Sequence, residues 1–396
     1  MTTADDSLLL SDARLILPGR VIEPASVLIE KDRILRISSE HESSGAGSVR
    51  DLRGLTLFPG FIDAHIHGAV GIDTMEASEH DLASVSEFLS TQGVTGWLPT
   101  LVPAPAEHYA RAIDAIGKQM RSQRRLLERP SGARVLGVHY EGPFVNASQC
   151  GALRSEHFKT FSGPSDIDSL PSPEVPNVVC MMTLAPEIEG GVDLVRELDR
   201  RGWIVAIGHT RAGIAVLDLA HEAGARHMTH FMNAMPSLHH REPGPVGWAL
   251  SRSDVRCDIV ADGIHLAPFV LGLLLSIKGA DRLSLISDAI AAAGKGDGEY
   301  KIWGETITVK DGRTSNSRGS IAGSVITMLD AVKMMLSLGA SEVDVARMAA
   351  TSPARLLRID NACGSIEVGK RADLVALDDE GNVRLTLIGG SVAFQK

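Results

Sequence analysis

The chain has 396 residues, 44% of them hydrophobic and 22% charged, with 39 glycines and a formal net charge of −10. These proportions describe an enzyme-sized globular chain with many tight loops and exclude disorder. The acidic balance, with no Lys/Arg block interleaved with aromatics, argues against a nucleic-acid partner.

The opening MTTADD carries aspartates where a secretion signal places positive charge, so no signal peptide is expected. From Ser7 to about Leu57 short apolar runs alternate with turn residues (LLLSDARLIL, SVLIEKDRILRIS, LTLFPG), which reads as strands of a small sheet. The polar stretch Glu42–Gly47 reads as an exposed turn within it. From Pro59 the pattern changes to strand-like runs followed by helical ones: GFIDAHIH then a helix through Leu82 to Gln92, and GWLPTLV then a helix near Glu107 to Gln123. RVLGVHYEG, VVCMMTLAP, WIVAIGHT, HMTHFMNA, CDIVADGIH and LSLISDA continue the series. About eight β-then-α units imply a parallel sheet closed into a barrel. The most apolar stretch, Ala267–Ile277, is too short to cross a bilayer and contains Pro268, so no membrane span is expected. After Arg355 the β pattern returns in GSIEVGKRADLVALDDEGNVRLTLIGGSVAFQK. The expected architecture is therefore α/β: a (β/α)8 TIM-like barrel over 59–355, with a small β-sandwich domain built from 1–58 and 356–396. Four widely spaced cysteines (Cys150, Cys180, Cys257, Cys363) fit reduced thiols in a cytoplasmic protein, not a disulfide framework or a cysteine metal site.

Histidine, glutamate and aspartate recur at the carboxyl ends of these runs, the edge at which such barrels do chemistry. In GFIDAHIHG, strand alternation puts Asp63, His65 and His67 on one face, so two imidazoles can grip one ion. Glu141 follows the run in GVHYEGPF and can ligate or bridge metals. His209 in GHT and His230 in THFMNAMP close two further runs, and neutral imidazole suits zinc and iron. Asp288 in SDA stands where it can take a proton from water and return it to a departing amine. Taken singly, each also reads as an ordinary polar strand end, and Asp288 as a helix cap. Together at successive strand ends they read as a metal centre.

The ordered set PGFIDAHIHG, HYEGPFVN, TLAPE, GHT, THFMNAMP, REPG, ADGIH, SDA and AGS-x-ITM resembles the N-acetylglucosamine-6-phosphate deacetylases of the amidohydrolase superfamily over nearly the whole chain. The resemblance implies hydrolysis of the N-acetyl group of an amino sugar, in a homodimer, with zinc or iron as one or two ions per subunit. It makes Glu141, His209 and His230 ligands of the principal metal, His65 and His67 holders of a second with the glutamate bridging, and Asp288 the acid/base. It also implies that Asn233, Ala234, Arg241 and His265 bind the substrate, Arg241 reaching the phosphate from the neighbouring subunit. One position departs: in CGALRSEHF, Leu153 stands where the family has a histidine that touches the substrate, with Arg154 beside it. Two other readings stay open, a paralogue acting on another N-acylated metabolite (N-acetylgalactosamine 6-phosphate or an unphosphorylated one) and a non-catalytic binding protein.

Overall fold

The computed structural model describes residues 7–39, 46–125 and 132–396; most of the turn expected at Glu42–Gly47 lies outside them. Eight strands form the barrel: β1 (Phe61–Ile66), β2 (Val94–Leu101), β3 (Gly137–Glu141), β4 (Val179–Leu184), β5 (Ile204–Ile207), β6 (His227–Met228), β7 (Arg256–Val260) and β8 (Leu283–Ile286). Each pairs parallel with the next from β1 to β8. All eight coincide with the runs read from the sequence. Strands buried on both faces show near-continuous apolar runs, as these do. Ile62, Ala64, Leu98, Met181, Ala206, Val260 and Ile286 fill the interior, packed as one cluster.

The helices wrap the outside. Glu79–Thr91 begins a turn before Leu82, its first buried apolar residue, because Ser78 and Asp81 form a reciprocal capping box. Ala106–Arg125 follows β2. The sequence reading missed a three-stranded antiparallel insertion after β8: Gly298–Ile302, Glu305–Lys310 and Arg313–Ser315. Its two turns, Trp303-Gly304 and Asp311-Gly312, hold both central residues at positive φ (53° and 75°, 51° and 74°), the conformation that matches the twist of a tight hairpin. The sequence signal was present in the Ile307/Val309 alternation and the glycines of WG and DG.

The two chain ends meet in one eight-stranded sheet. Thr56–Pro59 pairs with Ser7–Leu17 on one edge and with Leu374–Leu377 on the other, which joins the N-terminal strands to the C-terminal ones. The sheet encloses its own core, with Leu10, Leu15, Val27, Ile29, Leu374 and Leu387 all buried. Phe58, Val375 and Leu377 of the same sheet belong to the main cluster shared with the barrel. Arg134, just before β3, donates to Asp373 at 2.7 Å across the joint.

The seam between β8 and β1 is closed differently from the other seven. Asp63 accepts from Ser287 Oγ at 2.6 Å and from the Ser287 N–H at 3.2 Å, while the Asp288 N–H donates to the His65 carbonyl at 3.0 Å. Burial pushes the Asp63 carboxyl up to about 7 against the opposing pull of those donors. Asp63→Ala would leave the buried Ser287 N–H and hydroxyl without acceptors, each costing about 1–3 kcal/mol. We expect the metal-free variant to lose on the order of 3 kcal/mol, read as a lower urea midpoint. An unchanged midpoint would show that the seam does not depend on this carboxylate.

Candidate metal centre

Because every barrel strand runs the same way, its carboxyl end delivers side chains to one mouth. His65 lies in β1 and His67 just past it, Glu141 ends β3, and His209, His230 and Asp288 each stand two residues beyond β5, β6 and β8. All six are buried, none more than 7% exposed. The last three share a second property: His209, His230 and Asp288 have φ of 48°, 31° and 50°, the left-handed region that non-glycine residues rarely occupy. Such strain concentrates at functional sites, where surrounding contacts over-determine it. Gly208, before His209, admits the close approach of β4, since a Cβ there would meet Thr183 Cγ2 at 2.6 Å.

Glu141 is the hub. Its Oε1 lies 2.9 Å from His209 Nε2 and 3.0 Å from His230 Nε2, and its Oε2 lies 3.3 Å from His67 Nε2. The two histidine pairs are equally close within themselves: Nε2 to Nε2 is 3.1 Å for His209 and His230, and 3.1 Å for His65 and His67. His209 Nδ1 lies 2.8 Å from the Gln149 carbonyl, and because a carbonyl only accepts, Nδ1 carries a proton and Nε2 is the nitrogen turned toward Glu141. A buried carboxylate ringed by imidazole Nε2 atoms is the donor set of a divalent cation. Two overlapping groups have that geometry, His65/His67/Glu141 and Glu141/His209/His230, each with ligand atoms within 4.8 Å of one another. Asp288 Oδ1 is 3.4 Å from both His65 Nε2 and His67 Nε2.

The electrostatics agree with the distances. Burial alone would raise the Glu141 and Asp288 carboxyls, yet the surrounding imidazoles hold both well below the usual carboxylate range. Burial would lower His67, but its hydrogen bonds with Asp288 and Glu141 outweigh that and push it up to about 10. His230 is raised in the same way by Glu141 against its own burial.

A cavity of about 240 Å³ opens onto the centre. Asn233, Ala234 and His265 are among the residues that line it. The ADGIH motif explains the orientation of His265: Asp262 Oδ2 lies 2.6 Å from His265 Nδ1, and Asp262 Oδ1 accepts from the His265 N–H at 2.7 Å. Arg241 is exposed, rests against His240 at 2.7 Å and is not among the lining residues of its own chain. Leu153 lines the pocket and is 3% exposed. Arg154 is not among the lining residues, and its guanidinium is held by Glu156 (2.7 Å) and the Trp303 carbonyl (3.3 Å). Trp303 and Ile321 complete the wall, from the insertion and the segment after it, neither of which the sequence reading singled out.

A model of the amidohydrolase family matches residues 56–393. The chain belongs to that family. It is 35% identical over 394 residues to the N-acetylglucosamine-6-phosphate deacetylase of Bacillus subtilis (strain 168), with 98% of each chain covered. It is also 35% identical over 347 residues to an N-acetylgalactosamine-6-phosphate deacetylase of Escherichia coli O157:H7, covering 87% of this chain and 90% of that one. Among solved structures, the N-acetylglucosamine-6-phosphate deacetylase of Thermotoga maritima superposes with a TM-score of 0.84 at 32% identity, covering 98% of this chain and all of that one. A Mycobacterium smegmatis deacetylase mutant in complex with N-acetyl-D-glucosamine-6-phosphate superposes with a TM-score of 0.88 at 29% identity, with 98% and 100% covered.

With His67 pushed up to about 10, its imidazole is protonated at pH 7 to 8, and a cation entering the His65/His67/Glu141 group must displace that proton. Affinity at this group should therefore rise with pH over the range below about 10. Calorimetric titration of the metal-free protein with Zn2+ in buffers of different ionisation enthalpy should report net proton release. Binding that releases none would contradict a protonated His67.

Proposed function

We propose that this amidohydrolase removes the acetyl group from a phosphorylated N-acetylamino sugar, with N-acetylglucosamine 6-phosphate as the substrate and glucosamine 6-phosphate and acetate as products. The observation that carries the reading is Glu141 set between two histidine pairs at the barrel mouth, with Asp288 beside it. In this reading Glu141, His209 and His230 hold the principal ion, zinc or iron, and His65 and His67 a second that shares Glu141. Such an ion, when bound, lowers the pKa of water and polarises a carbonyl.

The chain's own groups do the rest. Asp288, kept ionised by its imidazole neighbours, takes the proton from the attacking water and gives it to the departing amine nitrogen. His265, fixed through Nδ1 by Asp262, offers Nε2 to the sugar or the amide carbonyl. Asn233 and Ala234 line the sugar site. Arg241 reaches the phosphate from a second copy, since a guanidinium fork matches phosphate oxygens and in its own chain Arg241 lies on the exposed surface. A homodimer is further supported by the exposed stripe Phe269, Leu273 and Ile277, one turn apart on helix Pro268–Lys278, and by exposed Leu238 close to Arg241 in the chain. Among the described residues no helix is long and apolar enough to cross a membrane. A cytoplasmic setting, with 59–355 as catalytic domain and 1–58 with 356–396 as β-sandwich domain, belongs to the same reading. N-acetylgalactosamine 6-phosphate is the second candidate substrate, favoured by Leu153 in the pocket wall and by the equal identity to the E. coli relative.

A panel of both phosphorylated epimers and both unphosphorylated sugars, on protein of known metal content, separates these. We expect acetate release with a strong preference for phosphate, and equal rates with and without phosphate would sink the reading. Asp288→Asn should lower kcat by about 100- to 10,000-fold with metal retained; near-wild-type turnover would remove Asp288 from the mechanism. Arg241→Ala should reduce kcat/KM by about 30- to 100-fold for the phosphorylated substrate alone, and a mixed dimer with Asp288→Asn should regain a fraction of the activity if the arginine acts across subunits.

A further inference from the structure

The TLAPE motif supplies a glutamate that none of this chemistry uses. Glu187 stands three residues past β4 and ties two loops together. Its Oε1 accepts from Asn146 Nδ2 at 2.8 Å and from the Arg211 N–H at 2.6 Å, and its Oε2 accepts from the Thr210 hydroxyl at 2.6 Å. Both loops end on His209. On one side Thr210 and Arg211 follow it directly, and Thr210 Oγ1, having given its proton to Glu187, accepts from the Ala212 N–H at 3.0 Å. On the other side the Asn146 N–H donates to the His209 carbonyl at 3.0 Å, the Asn146 carbonyl accepts from the Gln149 N–H at 2.9 Å, and the Gln149 carbonyl takes the Nδ1 proton of His209 at 2.8 Å.

The bonds close a ring: Glu187 to Asn146, Asn146 to Gln149, Gln149 to the His209 imidazole, and His209 through Thr210 back to Glu187. The ring fixes what the centre needs from His209, a left-handed backbone (φ 48°) and a proton on Nδ1 that leaves Nε2 as the nitrogen turned to the centre. Histidine ligands are generally oriented by a partner on their second nitrogen. Here that partner is a loop carbonyl, and a loop is only as well placed as whatever anchors it.

We propose that Glu187 is a positioning residue for His209, acting through Asn146 and Thr210 to hold its imidazole in the one tautomer and orientation that can ligate. The inference rests on the reading of His209 as a metal ligand. It differs from a simple loop staple in its consequence: loss of Glu187 should weaken the grip on metal in protein that is still folded.

The test uses the full chain, stripped of metal, with Zn2+ affinity measured by competition against a chromophoric chelator well below the melting temperature of each variant. Glu187→Ala should bind Zn2+ about 10- to 100-fold more weakly. Its kcat should recover as free metal is raised, with KM unchanged. Glu187→Gln should stay within about 3-fold of wild type, because the Thr210 hydroxyl can turn and accept from the new amide. A folded Glu187→Ala protein with affinity within about 3-fold of wild type overturns the proposal. Should that variant fail to fold, Asn146→Ala removes one strap at a half-buried position; a loss of about 10-fold supports positioning and unchanged affinity overturns it. His230→Ala and wild type run alongside. A wild-type protein that binds no divalent ion defeats the metal reading and this inference together, whereas binding that His230→Ala abolishes and Glu187→Ala leaves intact defeats this inference alone.

Discussion

A buried carboxylate with imidazole nitrogens crowded around it is held together by whatever positive charge lies among them. His209 and His230 each bring Nε2 to about the same point of Glu141 Oε1, and their own nitrogens stand 3.1 Å apart. Two bare lone pairs at that distance repel, and the carboxylate between them adds to the repulsion. A proton or a metal ion is what turns the arrangement from repulsive to cohesive. Without metal, burial disfavours the charged form of His67 and His230, yet the facing carboxylates favour it and shift both upward. Asp288 stays ionised for the same reason, so the group assigned to move the reaction's proton is tuned by the cluster and not by its own loop.

The barrel beneath is arranged to leave that balance undisturbed. His139 lies directly under His65, ring centroids 4.7 Å apart, and a charge on it would compete with the centre. Burial and the neighbouring His65 hold it well below its usual range, so it is neutral. Its two nitrogens face the Ala64 carbonyl at 3.1 Å and the Thr183 hydroxyl at 2.8 Å, and Thr183 reaches Thr229 at 2.7 Å. This chain spans β1, β3, β4 and the end of β6 without a net charge. A satisfied polar layer of this kind fixes the relative height of the strands, and with it the height of the side chains at their ends. The Asp63 bridge does the same at the β8 to β1 seam, where Ser287 is the residue just before Asp288.

Why so much of this was legible in the sequence is a matter of period and position. Strands buried on both faces announce themselves as apolar runs, and the polar residue that ends each run has only the barrel mouth to occupy. His65, His67, Glu141, His209, His230 and Asp288 could therefore be grouped before any distance was known. Asp288 illustrates the value of the grouping, because the AIAAAG after it invites a helix cap and the chain forms a turn there instead. The supporting carboxylates were not legible as such. Asp63 and Glu187 act mainly through hydrogen bonds to groups brought close only by folding, Glu187 to Asn146 joining residues 41 apart, whereas Asp262 acts locally on Ile264 and His265. Trp303 was missed because a β insertion interrupts the β-then-α alternation that organised the reading.

The pocket wall and the centre answer to different parts of the chain, which is why one can change without the other. The histidines, Glu141 and Asp288 of the centre stand in or within two residues of the ends of barrel strands. The wall facing them comes from two excursions: the loop after β3, with Leu153, and the insertion after β8, with Trp303. These are pinned to each other, Arg154 to the Trp303 carbonyl at 3.3 Å and Arg318 to the Ala152 carbonyl at 3.0 Å. Neither guanidinium is a ligand-facing group; both are spent on holding the wall together. Leu153 makes that part of the wall apolar, on an element separate from the one that carries Glu141. Where recognition and chemistry are anchored to separate elements, sugar preference can drift in a lineage while hydrolysis is retained. The wall at Leu153 and Trp303 is where such a drift would be written.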